Sequence, residues 1–239
     1  KQFHNQQIAM EREASETSGV DDGVGEIMST LKRLGLDSNT LVIYAADQGW
    51  MGGQNGVWGM GDHTVPTGAN ELMMEIPLIF RQPGKIPFGQ TSDIIVSNYD
   101  FMPTLLNYLG LGEKIPKSPK SPGRDFSAVL YGKKLKWDNV MFYEMENTRA
   151  IRTDNWKYVA RFPEGNGPFE LYNMKIDPQE RFNMYGQPGS VAKSEELAKR
   201  LNDFFTKYAN PKYDIWKGGR SKATRHTSDS LDYNKKYFN

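Results

Sequence analysis

The chain has no cysteine, which excludes disulfide cross-links and thiolate metal ligands and leaves the redox compartment open. No run of about 18 apolar residues occurs, so no segment reads as a membrane-spanning helix. Charge of one sign is also lacking: 30 basic and 29 acidic residues leave a net +1, and no global field points to nucleic acid. No internal repeat is visible. An initiator methionine is missing too, and Lys1–Thr17 is polar with neither an apolar signal core nor a transit pattern. The expectation is therefore a piece of a longer chain. What is present is an ordinary globular composition over 239 residues, 38% hydrophobic and 12% aromatic, enough to bury a core.

The most informative stretch is Asn39-Thr40-Leu41-Val42-Ile43-Tyr44-Ala45-Ala46-Asp47-Gln48-Gly49. Leu41–Ala45 reads as a buried strand that delivers an acid and an amide to a glycine turn. In open α/β sheets ligands bind beyond the carboxyl ends of strands, and Asp47 and Gln48 fall at that edge. Both carry hard oxygen atoms suited to Ca²⁺ or Mg²⁺. The alternative is a plain turn, for which Asp and Gly are also common.

Upstream, Val20, Val24, Ile27, Met28, Leu31 and Leu34 form one helical face, closed by Gly35. Asp21 and Asp22 are assigned to the start of that helix, where carboxylates complement the dipole. Gly49 to Asn70 is a long Gly-rich loop, a type that is usually functional or disordered. Short strands are expected at Pro77–Arg81 and Asp93–Val96, and a helix at Asp100–Leu109 with Pro103 in its first turn. Lys114–Gly123 is a Lys, Ser and Pro linker. Beyond it, Val140–Glu144, Arg149–Arg152, Lys157–Arg161 and Glu170–Asn173 read as an antiparallel meander with turns at 153–155 and 165–167. An amphipathic helix follows at Ser194–Tyr208. The basic, aromatic tail from Tyr213 either wraps the surface or returns Trp216, Arg220, Lys222, Arg225 and His226 to an anionic cleft.

Five ordered blocks resemble the second half of the sulfatase family, within the alkaline-phosphatase-like superfamily. They are Asn39 to Trp58, Ile76 to Gly84, Val96 to Leu106, Arg149 to Tyr158 and Glu170 to Glu180. The resemblance implies an α/β fold: a mixed sheet flanked by helices, then a small antiparallel four-stranded sheet with a C-terminal helix. Residues 1–113 would be the C-terminal part of the large domain, 114–135 a linker, 136–212 the small subdomain and 213–239 an extended tail. It also implies sulfuric ester hydrolysis, with a sulfated carbohydrate as substrate and a periplasmic or extracellular location. The alternatives are a phosphomonoester or phosphonate hydrolase of the same superfamily, or a non-catalytic sulfated-glycan-binding protein.

The family uses a formylglycine made from a Cys/Ser-x-Pro-x-Arg motif, together with a divalent cation, usually Ca²⁺, with Mg²⁺ as the alternative. No such motif occurs here, so the nucleophile and two metal ligands are expected in an N-terminal half that acts as partner to this chain. Asp47 and Gln48 match the family's other ligand pair, with Gln in place of the common Asn. The family's sulfate-binding Lys follows a Trp-Asp-type element, yet here Trp58 leads to Gly59-Met60-Gly61-Asp62-His63 and no Lys appears until Lys85. Direct alignment puts Met60 at that position; a three-residue insertion instead puts Asp62-His63 over the Asp-Lys pair. His63 is then the candidate to donate to a sulfate oxygen or protonate the leaving group. Gln54 and Asn55 are candidates for substrate contact or for capping the glycine turns. Arg152 is expected to pack the small sheet with Trp156, Lys157 and Tyr158, and is also a candidate substrate contact.

Overall fold

The computed structural model describes residues 6–60, 67–145, 147–162 and 168–219. The chain divides into two compact units. One comprises Lys1–Gly61, Leu72–Asp93 and Asp125–Trp137; the other comprises Asp62–Glu71, Ile94–Arg124 and Asp138–Asn239.

The first unit opens with α1 (Gln6–Arg33), longer than the apolar face at Val20–Leu34 suggests. In its polar early turns, Ser15, Thr17 and Ser18 each donate a hydroxyl to the carbonyl four residues back. Asp21 and Asp22 consequently sit mid-helix rather than at its start. Lys32 and Arg33 occupy the last turn, where cations complement the dipole. After a short 3-10 turn, β1 (Val42–Ala45) pairs antiparallel with β4 (Leu78–Arg81), with Tyr44 opposite Ile79. Arg81 grips Asp37 with two nitrogens at 2.6 and 3.1 Å, tying the end of β4 to the approach to β1. Between the two strands lie a two-residue hairpin, β2 (Met51–Gly52) and β3 (Trp58–Gly59), and the single turn α2 (Glu71–Met74). Further along, Phe126, just before α4 (Ser127–Leu130), meets Phe80 and Trp137 edge-on.

In the second unit, the expected strand at Asp93–Val96 does not form. The Ile95 N–H is taken by the Asn139 side chain at 2.9 Å instead of a ladder partner. Helix α3 (Asn98–Tyr108) starts two residues earlier than expected, so Pro103 falls in its second turn. Proline has no N–H to offer the Tyr99 carbonyl, and Gly123 packs directly against that oxygen; a Cβ there would lie 2.0 Å from it. Asp100 is fully buried, accepting from the N–H of Ser97 at 3.0 Å and of Arg124 at 2.7 Å.

The four-stranded sheet is as the alternation predicts: β5 (Val140–Met145), β6 (Thr148–Thr153), β7 (Trp156–Arg161) and β8 (Glu170–Asn173), all antiparallel in sequential order. Period-two alternation divides its residues between two faces. Val140, Ile151, Tyr158, Ala160 and Leu171 pack with Leu197, Leu201 and Phe205 of α5 (Val191–Tyr208). The Phe142 and Phe204 rings stack at 3.9 Å in the same layer. The opposite face carries Tyr143, Thr148, Arg152, Lys157, Arg161, Glu170 and Tyr172, an unusually polar set for residues so little exposed.

Candidate active site

In the first unit, β1 ends at Ala45, and Asp47 and Gln48 follow as an exposed bend. Gly49 then turns the chain: its N–H donates to the Met73 carbonyl at 3.0 Å, and an added Cβ would sit 2.0 Å from the Leu72 carbonyl oxygen. Only glycine lets the backbones cross that closely, so the sequence fixes the exit of β1 from its acid–amide pair. The Gln48 amide nitrogen donates to the Met60 sulfur. Met60, which direct alignment puts at the family's lysine position, thus meets the amide NH₂, leaving the Gln48 carbonyl oxygen as the end that could face a cation. An exposed carboxylate beside an amide oxygen fits a hard divalent ion. Among the described residues, no group of three or more His, Asp or Glu side chains gathers to hold one. Two oxygens fall short of the roughly six to eight that Ca²⁺ takes.

The glycine hairpin beyond is shaped by tryptophans. Trp50 and Trp58 meet edge-on at 6.0 Å, and a Cβ on Gly52 or Gly53 would strike one ring or the other. The Gln54 side-chain oxygen accepts the Gly52 N–H at 2.6 Å, and Asn55 adopts a left-handed backbone (φ 52°) next to Gly56. Both therefore take part in turn geometry. His63 lies outside the described residues, as do His4 and His226.

The second unit holds Arg152 and a set of buried ions that local sequence patterns do not reveal. Arg152 Nε donates to Glu71 at 2.7 Å and its Nη1 to the Thr153 carbonyl. Lys157, with no solvent exposure, lies 2.5 Å from Glu180 and 3.5 Å from Glu71. Glu180 reaches in from a left-handed backbone position (φ 56°) and also accepts the Glu71 N–H at 2.7 Å. Burial pushes the Glu180 carboxyl up, and the Lys157 ammonium pulls it back. Arg161 pairs with Glu170 at 2.6 Å, while its buried Nε and Nη1 find no hydrogen-bond partner among the described residues, and burial lowers its pKa. The Tyr172 hydroxyl donates to Glu170, and burial raises its pKa.

On the α5 face, Arg149 is bound by Asp214 and Glu144 and lies against the Phe205 and Trp216 rings. Trp216 is thereby a packing residue on Arg149 and Phe162 rather than part of a returning cleft wall. Arg220, Lys222 and Arg225 lie outside the described residues.

Residues 69–207 match a family described as N-sulphoglucosamine sulphohydrolase, C-terminal, and residues 5–111 match the sulfatase family. The chain belongs to the sulfatase family. It is 28% identical over 218 residues to an N-acetylglucosamine-6-O-sulfatase of Bacteroides thetaiotaomicron, covering 84% of this chain and 37% of that protein. It is 27% identical to an endo-4-O-sulfatase of the same organism, covering 74% and 40%. A solved structure in complex with its substrate D-glucosamine-2-N,6-O-disulfate superposes with a TM-score of 0.69 at 28% identity, covering 80% of this chain and 39% of that one. This sulfatase chain thus spans about two-fifths of the length of the curated relatives it matches. The α/β fold with its four-stranded sheet and C-terminal helix is the one the residue blocks imply. No helix among the described residues is long and apolar enough to cross a membrane.

Proposed function

We propose that this chain is the C-terminal portion of a periplasmic or extracellular sulfuric ester hydrolase acting on a sulfated carbohydrate. The observation that carries this reading is the Asp47–Gln48 pair at the end of β1, fixed by the Gly49 crossing, in a chain of the sulfatase family. The names of the two Bacteroides relatives, both sulfatases, support the reaction, and that of the first supports a sugar substrate. An N-terminal half of the same protein is the partner. The exposed Tyr44 and Ile79 on the two-stranded β1–β4 ribbon support that, because two strands alone are marginal and need further cover. In domain terms, residues 1–113 complete the large domain, 114–135 link, 136–212 form the small subdomain and 213–239 extend from it.

The chemistry supplied from outside this chain is a formylglycine nucleophile and a divalent cation, most simply Ca²⁺, that neutralises charge on the sulfate oxygens. Within the chain, the Asp47 carboxylate and the Gln48 carbonyl are the ligands for that cation. His63 donates a proton to the departing alcohol oxygen as the S–O bond breaks, or a hydrogen bond to a sulfate oxygen. Gln54 and Asn55 offer amide groups to substrate oxygens. Arg152 offers Nη2, its other guanidinium nitrogens being committed to Glu71 and Thr153.

The test is release of sulfate and of phosphate from matched aryl esters and sulfated sugars by the full-length protein, compared with Asp47→Ala, Gln48→Ala and His63→Asn. Sulfate release that falls at least about a hundredfold in Asp47→Ala is expected. Preference for the phosphate ester, or sugar binding without hydrolysis in the parent, would replace this reading with one of its two rivals.

A further inference from the structure

Two loops of the first unit bring exposed aromatic rings and unpaired lysines together. Beyond β4, the Lys85 and Ile86 N–H groups return to the Gln82 carbonyl at 3.2 and 2.9 Å, and the Gln82 side chain donates to the Ser38 carbonyl at 3.1 Å. The chain then turns at Phe88 and Gly89 (φ 69°), which leaves Phe88 98% exposed. The second loop closes α4: the Gly132 N–H meets the Val129 carbonyl at 2.9 Å and the Lys133 N–H the Ala128 carbonyl at 3.1 Å, with Gly132 left-handed at φ 72°. The loops touch, since a Cβ added to Gly132 would lie 3.0 Å from Gln90 Nε2. Phe88 and the 39% exposed Tyr131 therefore stand on adjacent loops that also carry Lys85, Lys133 and Lys134.

A single exposed ring would carry no weight, because isolated surface hydrophobes are common. Here the charge around it is one-sided. Neither 82–92 nor 126–137 contains an acidic residue, while the two segments hold Lys85, Lys133, Lys134 and Lys136, all exposed. None of these lysines forms an ion pair among the described residues. Cations without acids, set beside aromatic rings, fit an anionic partner that also has apolar faces. A sulfated sugar chain offers both: sulfate oxygens for the ammonium groups and C–H faces for the rings. A second copy of the chain would set lysine against lysine. A lipid surface would call for a broader apolar face than one projecting ring. The antiparallel register pairs Ala45 with Leu78 and Val42 with Arg81, so the Asp47–Gln48 pair leaves one end of the β1–β4 ribbon and residues 82–90 leave the other.

We propose that the Phe88 turn and the Lys133–Lys134 loop form an auxiliary binding surface for a sulfated polysaccharide, at the end of the ribbon opposite Asp47–Gln48. Binding at this surface needs no hydrolysis; its bearing on turnover rests on the hydrolase reading, and it makes the substrate a polymer rather than a single sugar. The lysines supply an attraction that salt screens, and the rings supply orientation. A polymer held at one point is presented to the rest of the protein at raised effective concentration. Small sulfate esters engage only one point and gain nothing from the surface.

The experiment measures binding of the full-length protein to dextran sulfate, to unsulfated dextran and to phosphatidylglycerol vesicles at about 0.15 M salt. Phe88→Ala, and separately Lys133→Gln with Lys134→Gln, are each expected to weaken dextran sulfate binding about threefold or more. Lys117→Gln with Lys120→Gln removes the same charge from the exposed 114–123 loop and should change it less than about 1.5-fold. Unsulfated dextran should not bind. The thermal unfolding midpoint, and kcat/KM on a small aryl sulfate, should stay at the parent values in all three variants. Undiminished dextran sulfate binding in Phe88→Ala and the Lys133/Lys134 variant would overturn the proposal, as would equal losses from the two lysine pairs, which would mean diffuse charge. Preference for the vesicles would assign the surface to lipid instead. A lowered unfolding midpoint in Phe88→Ala would show that the ring is covered by the rest of the protein, and overturns the proposal too. A parent protein that hydrolyses no sulfate ester, yet binds dextran sulfate through these residues, refutes the hydrolase reading and leaves the surface standing.

Discussion

Replacing Asp214 tests a deeply buried ion pair in the second unit. Asp214 and Arg149 side chains are 1% and 6% exposed, and their closest atoms are 2.7 Å apart. Stripping one partner from a buried pair costs about 3–5 kcal/mol, because the other charge is stranded. Here Glu144 still binds Arg149 at 2.7 Å, but it is 38% exposed, and a pair that open contributes about 0–1 kcal/mol. The loss should therefore sit near the lower end, about 3 kcal/mol. Asp214 also accepts the Trp216 N–H at 3.0 Å, opening the 3-10 turn Ile215–Lys217, and losing that cap adds about 1 kcal/mol. Asp214→Ala is thus expected to destabilise the unit by roughly 3–4 kcal/mol. Asp214→Asn, which keeps an acceptor for both donors, should cost roughly 1–2 kcal/mol. The Phe205 and Trp216 rings against the guanidinium at 3.8 and 4.8 Å remain in both variants, so the difference isolates the carboxylate. Denaturant-dependent hydrogen exchange at β6 and β7 amides of the full-length protein gives both values. Adding Arg149→Met to Asp214→Ala should return part of the lost stability, since no charge is then left buried. A shift below about 1 kcal/mol for Asp214→Ala, or equal shifts for Ala and Asn, would refute the argument.

Gly49→Ala should move the Asp47–Gln48 bend away from the Leu72 carbonyl and weaken divalent-cation binding by the full-length protein at least about tenfold in calorimetry, with the small sheet unaffected. Burial pushes the Tyr158 hydroxyl up to about 12, above its ordinary value of 10.0. Its contribution to stability is accordingly complete below about pH 10 and is lost as pH rises toward about 12; an ultraviolet titration in which Tyr158→Phe removes no late-titrating phenol would contradict this. Arg161→Met strands the Glu170 carboxylate, 18% exposed, and should cost roughly 3 kcal/mol by the same exchange method, while Arg161→Met with Glu170→Gln should return most of it; equal losses in the two variants would contradict this.

The two faces of the small sheet explain what could be read from the chain and what could not. The face toward α5 was legible because its signal is local. Alternating Ile151, Tyr158, Ala160 and Leu171 mark strands, and Leu197, Leu201 and Phe205 mark a helix that must cover them. The meander's strand boundaries consequently moved by at most one residue. The same local rules misplaced Asp93–Val96, whose apolar run looks like a strand but whose Ile95 N–H is satisfied by the side chain of Asn139, 44 residues on. Pattern also understated α1, whose early turns carry no apolar stripe and whose Ser15, Thr17 and Ser18 hydroxyls turn back onto carbonyls already used by the helix ladder. The polar face was illegible for a deeper reason. Lys157 and Arg152 look like ordinary strand residues, and Glu180 like part of a turn, until Glu71 arrives from 86 and 81 positions upstream of the two cations. A charged residue in a strand reads as solvent-facing unless its partner is known, and the partner is fixed only by tertiary structure. The candidate site falls on the legible side of that division. Asp47, Gln48 and Gly49 could be found because strand end, acid, amide and glycine are consecutive. The contacts that hold residues 67–71 to the polar face could not, because each of them acts across at least 75 positions of sequence. Local grammar thus nominates candidate ligand groups, while contacts that cross the sequence become visible only once the chain has folded.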